Sequence, residues 1–580
     1  MNKTKPIHPL GTQAKILLSS VFGPYAQDDE YGSRKINPME LYHNQVTRAQ
    51  GTFSLRMFHR SFGLLIIQSN IEAPCSLLDF PTLERFIEEI KTNSYDIVGI
   101  SGIIPNIGKV KKMCELIRQY QPNATIVVGG HIANFTDLPN RIDVDHAVKG
   151  DGIRWFREFL GQDGDAPIVH PMLLSGFNSR IMGIPLPKMR TAAILLPSVG
   201  CPLGCNFCST SAMFGGKGKH ISFFETGEEL FSIMCQTEKK LKIKSFFIMD
   251  ENFLLHRKRA LKLLELMEQH NKSWSLYLFS SAKVIKSYSM DQLIRLGVSW
   301  LWMGLEGEGS QYTKVTGVDT RLLVKELQSN GIRILGSTII GLENHTPKNI
   351  NQVIDYAVSH NTDFHQFMLY SPVPGTPLYK SLKKDGAILS EDECSLADSH
   401  GQYCFNFRHK SIKDRQEIGL LINAFQRDFE TNGPSIARMI NTSLMGWKKY
   451  KKHPDRQVRN RFKMECNVIG TFHGSAIWAM KKYYKNNKLI YDKINTILHS
   501  IYDEFGLKSK IINPILGRWI YYSLKKEEKK LSNGWTYEPQ TVYEKNAKAL
   551  ELEKESGVKS KFKTTRSHYA SFDQVTVVSN

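Results

Sequence analysis

Three cysteines on one short segment are the residues of this chain best suited to chemistry. Cys201, Cys205 and Cys208 are spaced C-x3-C-x2-C in the stretch SVGCPLGCNFCST. Three thiolates on one short loop can bind three irons of a 4Fe-4S cluster. Because no fourth cysteine follows at a similar spacing, the fourth iron would stay open to another ligand. The pattern therefore predicts a cluster that takes part in substrate chemistry rather than one that only stores electrons.

The neighbouring residues predict where this loop lies. The apolar run 192–196 is typical of a buried strand, and Gly200, Pro202 and Gly204 break regular structure after it. The cysteines would then follow the carboxyl end of a strand, where α/β folds collect ligands and catalytic groups. Phe207 could shield the cluster. The alternative is a zinc site or three inert thiols, but structural zinc sites usually need four ligands, and the sequence offers no second cysteine pair.

At these residues the chain resembles the radical S-adenosylmethionine (SAM) enzymes. The resemblance implies that the three cysteines hold a 4Fe-4S cluster and that the amino and carboxylate groups of SAM chelate its open iron. It also implies that reduction of the sulfonium releases a 5′-deoxyadenosyl radical, which abstracts hydrogen from an unactivated position.

Length and composition set the frame for this chemistry. A chain of 580 residues exceeds one hydrophobic core and predicts two to four domains. Nine cysteines without regular pairing favour a reducing compartment. With no apolar signal core and no run as long as a membrane span, we expect a cytoplasmic location. The formal net charge of +20 favours an acidic partner, whether nucleic acid, anionic membrane or anionic substrate.

The first domain is expected to span residues 1–185 and to be a doubly wound, Rossmann-like parallel sheet. Runs at 14–21, 96–101 and 125–128 read as strands, and 63–68 with 75–79 as a further one. They alternate with helical patterns at 81–91 and 109–120, which is typical of such a sheet. Ligands of these folds bind at the carboxyl ends of the strands.

Two of these strand ends resemble the cobalamin-binding fold, in GISGIIPN and IVVGGHIAN. The resemblance implies that Ser101 binds the buried nucleotide tail of cobalamin, and that Gly129 and Gly130 allow the backbone to approach it. The D-x-H-x-x-G motif of that family is absent, and SSVFG stands at 19–23 instead, so no histidine would bind the lower face of cobalt. His131 is interpreted as an exposed loop residue. The alternative is a docking module without a cofactor.

Residues 186–385 predict a partial (β/α)6 barrel of the TIM type, whose active face lies at the carboxyl ends of its strands. At those ends the radical SAM resemblance implies SAM contacts from Asp250, Glu251, Ser280, Glu306 and Gly341. Asp250 and Glu251 begin the segment DENF in place of the family's glycine-glycine-glutamate motif. The alternative is that such carboxylates and hydroxyls cap the following helices.

Residues 386–550 are predicted to be mainly helical, and residues 551–580 a disordered tail. Three clusters combine aromatic residues with lysine, at 446–452, 476–485 and 517–526. Such residues suit the interface of an anionic membrane, so a lipid-facing surface is one hypothesis. The alternative is that the aromatic side chains pack inward. Nucleic acid also attracts basic and aromatic residues, but no RNA-binding module is recognised, and we do not expect nucleic acid as a partner.

The chain up to residue 385 thus resembles the cobalamin-dependent radical SAM enzymes, of the class B methyltransferase type. The resemblance implies methyl transfer to an unactivated carbon, with one SAM methylating cobalamin and a second supplying the radical. We expect a lipid or other hydrophobic small molecule as substrate and a low-potential electron donor such as flavodoxin or ferredoxin. One alternative is non-methylating radical chemistry such as ring formation or rearrangement, and another is a non-catalytic cobalamin or redox sensor. A methylthiotransferase would carry three more N-terminal cysteines, whereas only Cys75 and Cys114 are present.

Overall fold

Two parallel sheets carry the strand ends that the sequence predicts to bind ligands. The computed structural model describes residues 7–23, 31, 46–185, 191–306, 312, 314–533, 535, 539–556 and 576–578. The strands, in chain order, are β1 (Ile16–Ser20), β2 (Arg56–Phe58), β3 (Cys75–Asp79), β4 (Ile97–Ser101), β5 (Thr125–Gly129), β6 (His146–Ala147), β7 (Phe177–Ile181), β8 (Ile184–Pro185), β9 (Ala193–Leu195), β10 (Ser198–Val199), β11 (Ile221–Ser222), β12 (Ser245–Ile248), β13 (Ser275–Phe279), β14 (Val298–Gly304), β15 (Arg333–Ile340), β16 (Phe364–Leu369), β17 (Val542–Lys545) and β18 (Thr576–Val578).

The first sheet is doubly wound, as predicted. Its strand order is β18-β17-β3-β1-β4-β5-β6, and β3, β1, β4, β5 and β6 are parallel. Leu17 of β1 belongs to one buried apolar cluster, whereas Ile16 and Leu18 belong to another. Alternate side chains of a strand point to opposite faces, so the sheet is covered on both sides. The covering α-helices are Phe62–Gln68, Leu83–Thr92, Ile107–Tyr120, Leu138–Arg141 and Gly152–Phe159.

Two features of this sheet differ from the prediction. The apolar run 63–68 lies in the helix Phe62–Gln68 instead of a strand; periodicity alone does not separate the two in so short a run. The carboxylate of Asp79 fixes the start of that helix, because it accepts hydrogen bonds from Ser61 N (3.0 Å) and Ser61 Oγ (2.8 Å). The second difference is β17, which comes from the predicted helical region and pairs antiparallel with β3.

The predicted disordered tail, residues 551–580, differs at its start from the structure. Helix Ala547–Ser556 continues past that point, and β18 pairs with β17. Residues 557–575 and 579–580, the rest of the predicted tail, lie outside the described residues.

The second sheet forms the predicted barrel of six β/α units. Its strands follow the order β16-β15-β14-β13-β12-β9 and are all parallel. A capping box from Thr226 and Glu229 fixes the start of helix Gly227–Leu241, which precedes β12. The helices of this region are Ser209–Met213, Gly227–Leu241, Arg257–Gln269, Ala282–Ile285, Met290–Arg295, Thr320–Ser329, Ile350–Ser359 and Pro377–Lys384.

The C-terminal region is mainly helical and packs directly on the barrel. A Cβ atom added to Gly331, in the loop before β15, would lie 2.6 Å from the Cα of Gly446, so the two backbones meet at a pair of glycines. Gly506 interrupts the longest helix with non-helical angles (φ 67°, ψ −153°). Among the described residues, no helix is both long and apolar enough to cross a membrane. The α-helices here are Gln416–Asn432, Ser435–Tyr450, Arg456–Cys466, Gly474–Tyr483 and Lys488–Ser532.

Candidate active site

The three cysteines of the predicted cluster site lie on one tight loop after β10. Cys208 caps the short helix Ser209–Met213, and its Sγ accepts a hydrogen bond from Ser211 N at 3.4 Å. The Ser211 hydroxyl donates in turn to the carbonyl of Cys201 at 3.1 Å. Gly204 has a left-handed φ of 63°, and a Cβ there would lie 2.5 Å from Lys217 Cα. The loop is therefore held at both ends and needs glycine between its first two cysteines.

The thiols of this loop are half-buried and free. Burial raises the pKa of Cys201 to about 11, with smaller contributions from the other two thiols and from Glu251. Burial also raises the pKa of Cys205. Three thiolates here would repel one another unless a cationic centre compensated them, which is what iron would do. No group of three or more His, Cys, Asp or Glu in the described residues is arranged around a single metal ion, whereas each thiolate of a 4Fe-4S cluster binds its own iron. The loop fits such a cluster.

The segment after β12 carries two carboxylates, one with all its partners in the protein and one with an unpartnered oxygen. Asp250 is 2% exposed, forms an ion pair with Arg259, and accepts hydrogen bonds from the Ser198 hydroxyl and from Asn252 N (3.0 Å). Glu251, in contrast, has a buried Oε2 without a hydrogen-bond partner. Burial, and to a lesser degree the charge of Asp250, raises its pKa to about 7. A cationic group beside Glu251 would compensate this carboxylate, as the amino group of SAM could.

Asp250 is engaged by Arg259, Ser198 and Asn252 and so positions these neighbours, while its predicted contact with SAM stays a prediction. The same holds for Ser280, whose hydroxyl donates to Asn252 Oδ1 at 2.9 Å. Asn252 Oδ1 also accepts from Ser281 N at 3.2 Å. This amide therefore joins the ends of β12 and β13.

Glu306, after β14, faces the cluster loop together with a lysine that the sequence did not single out. Glu306 Oε1 forms a buried ion pair with Lys314, and Oε2 has no hydrogen-bond partner. Burial would lower the pKa of Lys314, but the charges of Glu306 and Cys205 outweigh it and raise that pKa. Lys314 Nζ also lies 5.3 Å from the ring centroid of Phe207. Phe207 itself packs edge-on against Tyr312, with ring centroids 5.3 Å apart, so it forms part of the wall around the loop.

Gly341 has a structural reason to be glycine. Its φ is 87°, and a Cβ there would lie 2.2 Å from Cζ of Phe405. Its backbone N–H donates to His345 Nδ1 at 3.0 Å. Packing beneath Phe405 explains this glycine without any SAM contact, so the predicted cofactor role has no support from the geometry.

The predicted cobalamin residues meet at the carboxyl ends of β4 and β5. Ser101 and Gly129 are register partners. Gly130 has φ 82°, and a Cβ on it would lie 2.5 Å from the carbonyl of Gly102 and 3.1 Å from Ser101 Oγ. A Cβ on Gly129 would meet only the carbonyl of Val148, at 3.8 Å. The protein itself therefore requires glycine at 130 but leaves space beside 129, which fits close approach of a ligand.

The loop after β5 connects this site to the cluster loop. His131 Nε2 lies 3.3 Å from the hydroxyl of Thr210, on the helix that begins at the third cysteine. Asn134 Nδ2 donates to the carbonyl of Ser209 at 3.3 Å. His131 is thus half-buried and not an exposed loop residue as the sequence suggested, and burial lowers its pKa. The helix Ser209–Met213, which we call the cluster helix, thus lies directly against the loop that follows Gly129 and Gly130.

Comparison with known proteins agrees with this arrangement. Residues 54–160, which include Ser101, Gly129 and Gly130, match the B12 binding domain family. The uncharacterized methyltransferase PH0819 of Pyrococcus horikoshii is 24% identical over 346 residues, which cover 53% of this chain and 74% of that protein. Bacteriochlorophyllide d C-12(1)-methyltransferase of Chlorobaculum tepidum is 26% identical over 198 residues, covering 33% of this chain and 42% of that protein.

A solved structure resembles the chain more weakly. It is the radical S-adenosylmethionine methyltransferase TsrM from Kitasatospora setae with cobalamin and a 4Fe-4S cluster bound. It matches 78% of this chain and 98% of that chain, at 15% identity and a TM-score of 0.46. The family match gives residues 54–160 as a B12 binding domain, and methyltransferases are among the relatives, so the chain is similar to the cobalamin-binding radical SAM enzymes that its sequence resembles. That resemblance, recognised from the sequence, is confirmed, and the B12 binding domain supports cobalamin as a cofactor.

Several residues of the site were missed by the sequence analysis. Arg259 and Lys314 are buried cations paired with predicted carboxylates. The sequence carries little signal for either cation. The fold, and not a local pattern, brings Arg259 to Asp250 and Lys314 to Glu306. For Arg259 a weak signal exists, since an arginine on the apolar face of a predicted amphipathic helix needs a buried partner.

Proposed function

We propose that this chain transfers a methyl group to an unactivated carbon of a hydrophobic small molecule. The observation that supports this most is the contact between the two cofactor regions, His131 to Thr210, because methyl transfer needs the B12 domain to face the cluster loop. When bound, the cluster supplies the electron that cleaves SAM, and cobalamin carries the methyl group. Two relatives whose names include methyltransferase agree with the proposal.

The residues of the chain have separate roles in this proposal. Cys201, Cys205 and Cys208 would hold the cluster on their short loop, which follows the carboxyl end of the first barrel strand. Glu251 binds the cationic amino end of SAM through its unpartnered oxygen. Glu306, held by Lys314, offers a second polar contact near Cys205.

At the B12 domain, Gly129 leaves room for cobalamin, Gly130 lets the backbone turn close to Gly102, and Ser101 offers the ligand a hydroxyl. The loop with His131 keeps that site against the cluster helix. Half-buried aromatic rings, Phe207 and Tyr312, line the cluster side. They would limit access of water to the radical chemistry.

The substrate part of the proposal is a lipid or similar apolar molecule. A relative named for a bacteriochlorophyllide, a largely apolar ring system, supports this class. A low-potential donor such as flavodoxin or ferredoxin would reduce the cluster. The net charge of +20 would attract an acidic donor. A cytoplasmic location with peripheral contact to an anionic membrane completes the proposal.

Anaerobic reconstitution tests the chemistry. The protein would be loaded with iron, sulfide and hydroxocobalamin, and its iron and cobalamin contents measured for the wild type, Cys201→Ala and Cys235→Ala. Cys235 is a half-buried free thiol outside the loop, so its variant should keep the iron that Cys201→Ala loses. Both variants should keep cobalamin.

The loaded wild type would then be reduced with SAM carrying a trideuterated methyl group, in the presence of a lipid extract. Both S-adenosylhomocysteine and 5′-deoxyadenosine should form, together with a deuterium-labelled lipid that is absent with Cys201→Ala. Formation of 5′-deoxyadenosine without label in any product would favour ring formation or rearrangement. Bound iron and cobalamin without any SAM cleavage would favour the sensor.

A further inference from the structure

One face of the last long helix displays a continuous row of exposed apolar side chains. Each of these side chains is at least half exposed: Leu507 (76%), Ile511 (62%), Ile515 (65%), Trp519 (51%) and Tyr522 (73%). Steps of four, four, four and three residues return to the same side of an α-helix. We call these five residues the apolar stripe. At a rise of 1.5 Å per residue it is about 24 Å long.

The opposite face of the same helix is fixed to the protein. Its buried residues are Ser509, Asn513, Gly517, Ile520, Leu524 and Glu527. Ser509 Oγ donates to the carbonyl of Gly470 at 2.7 Å. A Cβ on Gly517 would lie 2.6 Å from the ring of Trp478, which shows how closely this face approaches helix Gly474–Tyr483. The stripe therefore points away from the core on a helix that cannot rotate to bury it.

Single exposed apolar residues are ordinary, but a contiguous row of five marks an interaction surface. The charge around the stripe indicates which kind. Residues 507–526 contain no Asp or Glu, and their five basic residues are all exposed: Lys508, Lys510, Arg518, Lys525 and Lys526. Trp519 and Tyr522 are side chains that favour the boundary between lipid and water.

We propose that the apolar stripe docks on the surface of an anionic lipid bilayer, with the helix lying in the plane of the interface. Apolar side chains would enter the headgroup boundary, and the basic residues beside them would meet lipid phosphates. A second copy of this chain is a poorer occupant, because pairing two stripes would bring five cations of each copy against five of the other.

The apolar stripe includes only one of the three clusters of aromatic residues and lysine that the sequence suggested as a lipid-facing surface. In the first cluster, Trp447 stacks on Phe505 and donates to Glu504 at 2.8 Å. In the second, Tyr483 and Tyr484 pack on Phe53. Only the third cluster contributes exposed rings, and the stripe extends from it toward Leu507.

Vesicle flotation tests the proposal. The probes are vesicles of phosphatidylcholine alone and of phosphatidylcholine mixed with phosphatidylglycerol. The variants are Ile511→Ser/Ile515→Ser/Trp519→Ser and the matched control Leu322→Ser, which changes a 65% exposed apolar residue on a barrel helix. We expect the wild type and Leu322→Ser to bind the anionic vesicles and the triple variant to bind at least tenfold more weakly. Lys508→Gln/Arg518→Gln should also weaken binding, as should raised salt.

Equal binding of the triple variant and the wild type, or no binding of the wild type to anionic vesicles, would overturn the proposal. So would light scattering that shows a wild-type dimer and a monomeric triple variant, since a second copy would then cover the stripe. Unchanged iron and cobalamin contents would confirm that the triple variant is folded. The inference deepens the proposed membrane contact but can fail separately from the chemistry: Cys201→Ala, without iron, should still bind vesicles, and the triple variant should still cleave SAM.

Discussion

Replacing Gly129 with alanine should separate ligand binding from folding in the B12 domain. Among the described residues, the added methyl group would meet no atom closer than the carbonyl of Val148, at 3.8 Å, which is an ordinary contact. The φ angle of Gly129 lies outside the left-handed region that only glycine adopts readily. The part of the chain that the structure describes therefore does not demand glycine at this position, and we expect any defect of Gly129→Ala to come from the ligand.

The expected magnitudes follow from this geometry. Gly129→Ala should leave the apoprotein as stable as the wild type or more stable by up to about 1 kcal/mol, because alanine restricts the unfolded chain. Inserting a methyl group against a closely packed ligand costs roughly 1–3 kcal/mol, so cobalamin should bind about 5- to 150-fold more weakly. Gly130→Ala should instead destabilise the apoprotein by more than about 1–2 kcal/mol, because φ is 82° and the new Cβ would lie 2.5 Å from the carbonyl of Gly102.

Spectrophotometric titration with hydroxocobalamin and urea unfolding of the apoprotein would measure the two effects. Gly63→Ala is the matched control, since Gly63 lies in the same domain and a Cβ there has no heavy atom within 4 Å. It should change neither cobalamin affinity nor the packing of the site. Wild-type affinity in Gly129→Ala would refute the assignment of this strand end to cobalamin. An equal loss of stability in both glycine variants would refute the reading of the space beside Gly129.

Three further predictions concern the barrel. Arg259→Met leaves the 2% exposed Asp250 without its cation and should cost about 3–5 kcal/mol in urea unfolding, and a second change, Asp250→Asn, should recover part of the loss. Gly341→Ala should destabilise the barrel by more than about 2 kcal/mol because its Cβ would overlap Phe405, and Phe405→Leu should relieve this. Burial lowers the pKa of His365 to about 3. Below pH about 6.5 this side chain is therefore protonated in the unfolded chain but stays neutral in the folded chain. Stability should therefore fall as pH drops from 7 to 5, and by about 2 kcal/mol less in His365→Gln.

The sequence predicted those parts of the site that local patterns encode. The cysteine spacing predicted a loop of three thiols after a strand, and the alternation of apolar runs with amphipathic helices predicted the barrel, since both patterns depend on neighbouring residues. The helix Phe62–Gln68 was predicted as a strand because its short apolar run fits both structures. The hydrogen bond that fixes its start is accepted by Asp79, 18 residues beyond Ser61. The sequence does not reveal that Asp250 pairs with Arg259 or that Gly341 packs beneath Phe405, and the predicted SAM contacts of both residues stay predictions.

The largest gap concerns how the domains are joined, since contacts between distant segments leave no periodic pattern. Strand β17 returns from the C-terminal region to the edge of the first sheet, beside β3. There Glu544 and Asp79 both pair with the buried guanidinium of Arg60, at 3.0 and 2.8 Å. A chain cut before β17 would leave that arginine with one partner and expose the backbone of β3, a costly combination. The helical region is therefore not an appended module: the B12 domain, which faces the cluster loop through His131, is completed by the same segment that follows the apolar stripe.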